Sequence, residues 1–142
     1  GGLLMVIDHI YHVKGGDFSH SGAASSKVKK MLKQLDIDPK KIKSIVIALY
    51  EAEVNIVAHA WEGEIRISIE PDRITMVLED KGPGIPDIDQ AMVEGFSTAS
   101  KEVREMGFGA GMGLSNIKRN TDSLEIKSEV GTGTTLKMIN YF

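Results

Sequence analysis

The chain has 142 residues, of which 42% are hydrophobic and 26% charged, and its formal net charge is −3. This composition predicts a soluble globular protein with one domain over residues 1–142, and it argues against disorder. The absence of cysteine excludes disulfides, thiolate metal sites and cysteine nucleophiles. No apolar run approaches the roughly 20 residues of a membrane span, and no basic leader opens the chain, so we expect a cytoplasmic protein without a membrane partner. The acidic balance argues against a nucleic-acid partner.

The first 60 or so residues predict a strand followed by two helices. Apolar positions among polar ones indicate a strand over residues 5–13, and a helix with a small-residue first half is predicted over 19–35. Asp38 followed by Pro39 is a helix-start signal, because Asp caps a helix N-terminus and Pro suits the first helical position. That helix should extend to about residue 60 along an apolar stripe with three- and four-residue spacing: Ile42, Ile45, Leu49, Ala52 and Ile56.

The rest of the chain predicts four more strands and two shorter helices. The strands are expected over 64–70, 73–79, 124–130 and 134–141, and the helices over 87–93 and 113–120. The tight turn Pro71-Asp72 predicts that the first two of these strands pair as a hairpin. Because consecutive strands pair locally, the pattern indicates the α+β class: a two-layer α/β sandwich whose mixed, mostly antiparallel sheet carries helices on one face.

Three polar residues of the second helix share one edge of it. Glu51, Asn55 and His59 follow one another at four-residue intervals and border the apolar stripe. An Asn oxygen is a suitable ligand for Mg²⁺, and a Glu one turn away can accept a proton from a water or a hydroxyl. Polar residues border the buried face of any amphipathic helix, however, so this pair alone is a weak signal.

A second motif follows the strand predicted over 73–79. Asp80 ends an apolar strand, where a carboxylate needs polar partners, and it can accept a hydrogen bond from the exocyclic amine of adenine. Gly82 and Gly84 allow the backbone to approach a flat ring closely. The alternative is an ordinary turn rich in Asp, Gly and Pro.

A third motif is a glycine-rich stretch that leads into the helix predicted over 113–120. Its glycines are Gly107, Gly109, Gly111 and Gly113, and Leu114 follows. Backbone amides at a helix start, without Cβ atoms in the way, can bind phosphate. The stretch is neither a P-loop nor a Rossmann turn, because no strand immediately precedes it and the Lys-Ser/Thr pair is absent. The alternative is a linker loop.

Taken together and in this order, the motifs resemble the GHKL ATPase superfamily, which has the Bergerat ATP-binding fold. Glu51-x-x-x-Asn55 is similar to its N box, Asp80-x-Gly82-x-Gly84 to its G1 box, and residues 107–114 to its G2 box. Within the superfamily, the chain looks most like the anti-sigma-factor serine/threonine kinases of bacterial partner-switching systems. The Glu favours them, because histidine-kinase catalytic domains usually carry His or Asn at that position.

The resemblance implies a role for each motif residue. Glu51 is implied to be the general base for a substrate Ser or Thr, and Asn55 to hold the Mg²⁺ that bridges the phosphates of ATP. Asp80 is implied to bind the adenine amino group, assisted by Gly84 and Thr134. Either Lys101 or Arg104 is implied to meet the γ-phosphate.

The resemblance therefore implies an ATP- and Mg²⁺-dependent serine/threonine protein kinase that acts as an anti-sigma regulator. Its implied partners are a STAS-domain protein similar to anti-anti-sigma factors, a sigma factor, or both, and it is implied to form a homodimer. An alternative is a nucleotide-gated binding module that sequesters a sigma factor without appreciable catalysis. A bare ATPase or a histidine-kinase fragment is less favoured.

Overall fold

The computed structural model describes residues 6–93 and 113–142. It begins with strand β1 (Ile7–Lys14), one turn of 3-10 helix (Phe18–His20), helix α1 (Ala23–Gln34) and helix α2 (Pro39–His59). The following elements are β2 (Glu62–Ile69), β3 (Arg73–Lys81), α3 (Ile88–Ala91), α4 (Gly113–Arg119), β4 (Ser123–Glu129) and β5 (Gly133–Tyr141). Every element expected from the sequence within these residues is present, with ends that differ by up to four residues.

The described strands form one sheet in the order β1-β2-β3-β5-β4. All four pairings between these strands are antiparallel. A mixed sheet would include a parallel pair, and the described part of the chain contains none. The predicted hairpin is confirmed: β2 pairs with β3, and the N–H of Glu70 donates to the carbonyl of Arg73 at 2.8 Å across the turn. The last strand therefore lies inside the sheet, between β3 and β4.

Helices cover one face of this sheet, and the core lies between the two layers. The register places Ile67 opposite Met76 and Met76 opposite Met138, and all three side chains are buried. Burying each such side chain contributes roughly 1.5–3 kcal/mol. Helix α2 contacts α1, α4 and four of the strands. The other face carries charged pairs such as Arg66 with Glu64, so the predicted α+β class with helices on one face is confirmed.

The two long helices begin in different ways. Asp38 caps α2, because its side chain accepts a hydrogen bond from the N–H of Lys40 at 2.9 Å and Pro39 occupies the first turn, as predicted. Helix α1 begins at Ala23 rather than at the predicted residue 19. Gly22 precedes it with a φ of +91°, a left-handed conformation that favours glycine and cannot continue a helix. Within the described residues, none of the helices combines the length and apolarity that a bilayer crossing requires.

Candidate nucleotide-binding site

The polar edge of α2 lies against the start of α4. A Cβ atom added to Gly113 would lie 3.1 Å from both Oδ1 and Nδ2 of Asn55. Three residues further on, Nδ2 of Asn116 donates a hydrogen bond to Oε1 of Glu51 at 3.4 Å. The structure therefore brings the Glu and the Asn of the first motif together with the last glycine of the third.

Asp80 lies near the end of β3 on the helix-covered side of the sheet, directly across from Gly63 of β2. The N–H of Thr134, the second residue of β5, donates to its Oδ1 at 3.1 Å. Within the described part of the chain, no hydrogen bond reaches its Oδ2. Burial raises the pKa of the Asp80 carboxyl, and the bond from Thr134 opposes that rise. A half-buried carboxylate with one open oxygen gains from a ligand that donates a hydrogen bond.

The loop after β3 is held against the turn between β4 and β5. The N–H of Gly82 donates to the carbonyl of Thr132 at 3.1 Å. Gly84 has a φ of +76°, and a Cβ atom there would collide with the carbonyl of Glu129. Both glycines of the second motif therefore allow close packing between backbone segments. This packing places the loop beside the Asp80 carboxylate.

The start of β5 completes the surroundings of Asp80. Gly133 has a φ of +152°, and a Cβ atom on it would collide with the carbonyl of Asp80. Thr134 is buried, and its hydroxyl lies 2.8 Å from that of Ser128 on β4. Thr134 thus uses its N–H on Asp80 and its hydroxyl on Ser128. The family resemblance named Thr134, but the sequence interpretation did not identify the contact of its hydroxyl with Ser128.

The remaining predicted site residues fall into two groups. The side chain of Leu114 is buried in the apolar core, so any contact with a ligand would come from its backbone. The others lie outside the described residues: Lys101, Arg104, Gly107, Gly109 and Gly111. The described part of the predicted site therefore consists of the α2 edge, the start of α4, and the surroundings of Asp80.

Glu53 has a structural role that the sequence interpretation missed. It is 2% exposed, and its carboxylate accepts hydrogen bonds from the N–H groups of Gly22, Ala24 and Ser25 and from the Ser25 hydroxyl, at 2.6–3.1 Å. It therefore caps the N-terminus of α1 from another helix. One signal was available: Glu53 follows Leu49 by four residues and so lies within the apolar stripe, where a carboxylate requires donors.

Comparison with known proteins gives consistent matches. A sequence model of the histidine kinase-like ATPase domain matches residues 17–140. The anti-sigma F factor of Caldanaerobacter subterraneus subsp. tengcongensis is 35% identical over 123 residues, covering 83% of this chain and 82% of that protein. The serine/threonine-protein kinase RsbT of Bacillus subtilis is 33% identical over 123 residues, covering 84% and 86%. The anti-sigma F factor of Clostridium beijerinckii is 34% identical over 113 residues, covering 75% and 76%.

Proposed function

Because the chain belongs to the histidine kinase-like ATPase family, we propose that it is an ATP- and Mg²⁺-dependent serine/threonine protein kinase of the anti-sigma type. Its substrate is a serine or threonine of a small STAS-domain protein. Family membership confirms the GHKL resemblance drawn from the motifs. The observation that carries the kinase proposal is the meeting of α2 and α4, where Glu51 and Asn55 share one edge next to Gly113.

The surroundings of Asp80 fit adenine. The open Oδ2 is an acceptor, and the exocyclic amine of adenine is a donor, whereas guanine presents a carbonyl oxygen at the equivalent position. Burial around Asp80 strengthens the preference for a donor, because an unpaired carboxylate is costly there. Gly82 supplies backbone without a side chain next to this carboxylate, since a Cβ atom there would lie 3.4 Å from Oδ1 of Asp80. These features support ATP over GTP.

The surroundings of Asn55 fit a hydrated magnesium ion that also binds phosphates. Mg²⁺ prefers oxygen ligands and keeps several waters, so one protein amide oxygen is sufficient on the protein side. A Cβ atom at Gly113 would lie 3.1 Å from both Oδ1 and Nδ2 of this amide, so any side chain there would press on it. A glycine at the start of α4 therefore keeps the amide accessible.

When Mg-ATP is bound, it supplies the γ-phosphoryl group. Glu51 then acts as the general base that accepts the proton of the substrate hydroxyl as it attacks. We propose that the backbone amides of residues 107–113 bind the phosphates and that Lys101 or Arg104 neutralises charge on the γ-phosphate. Residues 107–112 and both basic residues lie outside the described part of the chain.

A nucleotide-gated binding module is the second candidate. Two of the relatives above are named anti-sigma F factors, a name that states an action on a sigma factor and no catalysis. In this reading the ATP site controls how tightly the chain holds a sigma factor, and Glu51 is retained without turnover. A homodimer and a cytoplasmic location stay predictions in both readings.

Two parallel measurements separate the candidates. Purified protein is mixed with γ-labelled ATP and with each STAS-domain or sigma-factor protein encoded by neighbouring genes, and labelled partner is counted. The same pairs are tested by pull-down with and without ATP. We expect labelled phosphoserine or phosphothreonine on a STAS-domain partner. Absence of transfer, together with ATP-dependent retention of a sigma factor, would establish the binding module instead.

A further inference from the structure

Glu51 has a neighbour on α4 whose role neither the motifs nor the comparisons assign. Asn116 donates from Nδ2 to Oε1 of Glu51 at 3.4 Å, and its own Oδ1 accepts a hydrogen bond from a guanidinium N–H of Arg119. We propose that Asn116 is a positioning residue that holds the Glu51 carboxylate in the orientation needed for phosphoryl transfer. This inference rests on the proposed role of Glu51 as the base.

Arg119 determines which end of the Asn116 amide faces Glu51. A guanidinium group only donates hydrogen bonds, so it must face the amide oxygen. The amide nitrogen then necessarily faces the carboxylate, which only accepts. The three side chains thus form a directed series, Arg119 to Asn116 to Glu51, in which each donor meets an acceptor. The oxygen and nitrogen of an Asn amide are similar in size, and the donors and acceptors around Asn116 determine which position each of them takes.

The backbone beneath Asn116 is firmly placed. Leu114 and Ile117 of α4 are buried in the core, so the helix cannot rotate without exposing them. The side chain of Asn120 also donates to the carbonyl of Asn116 at 2.9 Å. Asn116 therefore presents its side chain from a fixed helix rather than from a loop.

The same helix makes a second contact with α2, one turn away. Gly113 lies beside Asn55 and Asn116 lies beside Glu51, so the two helices run in opposite directions. The position of α4 therefore sets the surroundings of both the proposed metal ligand and the proposed base. A Glu side chain has three rotatable bonds, and a bond to one oxygen restricts them while leaving Oε2 available to the substrate hydroxyl.

The decisive variant is Asn116→Asp. It preserves side-chain size and the acceptor for Arg119, but it removes the donor and places a carboxylate against Glu51. We expect the rate constant for phosphoryl transfer to fall about 10- to 100-fold, the range for losing a hydrogen bond to a charged group. ATP affinity should stay within about twofold, because the nucleotide contacts are elsewhere. Asn116→Ala should lose less, and Lys118→Gln on the exposed side of α4 should behave as wild type.

Three further measurements test whether Asn116 positions Glu51. In a Glu51→Gln background, Asn116→Asp should cause no further loss of transfer, because the two residues act as a unit. Wild-type transfer by a folded Asn116→Asp variant would overturn the positioning role while leaving the kinase proposal intact. If the wild type phosphorylates no partner, a double-mutant cycle on unfolding free energies, with Glu51→Ala and Asn116→Ala, tests the contact itself, and zero coupling would overturn it. Asn116→Ala replaces Asn116→Asp wherever the latter fails to fold.

Discussion

Two glutamates two residues apart on α2 differ in how many hydrogen bonds their carboxylates accept. Glu53 faces α1, is 2% exposed, and accepts four hydrogen bonds. Glu51 faces α4, is half-buried, and among the described residues accepts one hydrogen bond, from Asn116 at 3.4 Å. A carboxylate whose oxygens are all occupied stabilises the fold, whereas one with an open oxygen can bind a ligand or accept a proton. Asp80 is similar to Glu51 in this respect, because among the described residues its Oδ1 accepts a hydrogen bond and its Oδ2 accepts none.

The largest effect is expected at Glu51. Glu51→Gln should reduce phosphoryl transfer by about 10²–10⁴-fold, equivalent to roughly 3–5 kcal/mol of barrier, because the amide cannot accept the proton. ATP affinity and unfolding free energy should change little. Asn55→Ala should instead weaken Mg-ATP binding itself. Single-turnover transfer and calorimetric titration measure the two effects, and a Glu51→Gln variant that transfers at the wild-type rate would remove Glu51 from the mechanism.

The reverse pattern is expected at Glu53. Glu53→Gln puts an NH₂ group either where the N–H groups of Gly22 and Ala24 now donate or where the N–H and hydroxyl of Ser25 now donate, so two donors lose their acceptor. We expect a loss of about 2–4 kcal/mol of unfolding free energy, measured by urea titration. Glu51→Gln, on the same helix, is the matched control and should shift the urea midpoint only slightly. Equal shifts for the two variants would abolish the distinction between the two carboxylates.

Asp80 should show a smaller effect on binding. Asp80→Asn removes the open carboxylate oxygen that we propose for the adenine amine, and it should weaken ATP binding by about 1–3 kcal/mol. Selectivity over GTP should fall with it. Calorimetric titration of both nucleotides with wild type and variant provides the measurement. Equal affinity of the wild type for ATP and GTP would contradict the assignment.

The same variant should stabilise the protein without nucleotide at neutral pH. Burial raises the pKa of the Asp80 carboxyl above its ordinary 3.8, so the folded state prefers the proton more than the unfolded state does. Stability from this group is therefore present below pH 3.8 and is lost as the pH rises through the raised pKa. Asp80→Asn avoids that loss and keeps an acceptor for the N–H of Thr134. Urea titrations should show the variant more stable at pH 7, with the difference shrinking towards pH 3 or so.

The smallest effect is expected at His59, which follows Asn55 by one turn on α2. Burial lowers the pKa of His59 below its ordinary 6.5. Its contribution to stability is therefore present above pH 6.5 and is lost as the pH falls towards the lowered value, because the unfolded state binds the proton more readily. His59→Gln should flatten the dependence of the urea midpoint on pH in this window. An unchanged slope would show that His59 does not contribute.

The sequence predicted features that depend on neighbouring residues. The α2 start follows from Asp38 and Pro39, and the β2–β3 hairpin from alternating apolar positions on both sides of a tight turn. The predicted start of α1, at residue 19, is four residues too early. Its true boundary depends on the left-handed conformation of Gly22 and on capping by Glu53, which lies 28–31 residues away from its partners.

The candidate site was predictable to a similar extent. The motifs named Glu51, Asn55 and Asp80 because their residue types and order are informative. They did not reveal the contact between Asn116 and Glu51, which are 65 residues apart in the chain. Nor did they reveal that Gly133 packs against the backbone of Asp80. Such contacts are set by how α4 and β5 pack in three dimensions, and no local pattern reports that.

The position of β5 inside the sheet has a consequence for how the chain acquires its fold during synthesis. Chains emerge from the ribosome N-terminus first, and β5 is the last strand to be synthesised. Because β5 is the second neighbour of β3 in the sheet, one edge of β3 stays unpaired until β5 is present. Until then β3 exposes an unpaired edge next to Ile74, Met76 and Leu78, which are buried in the finished protein. Such an edge is a template for pairing with other chains. A nascent or truncated chain that stops before residue 133 is therefore expected to aggregate, and Asp80 would lack the N–H of Thr134 in it.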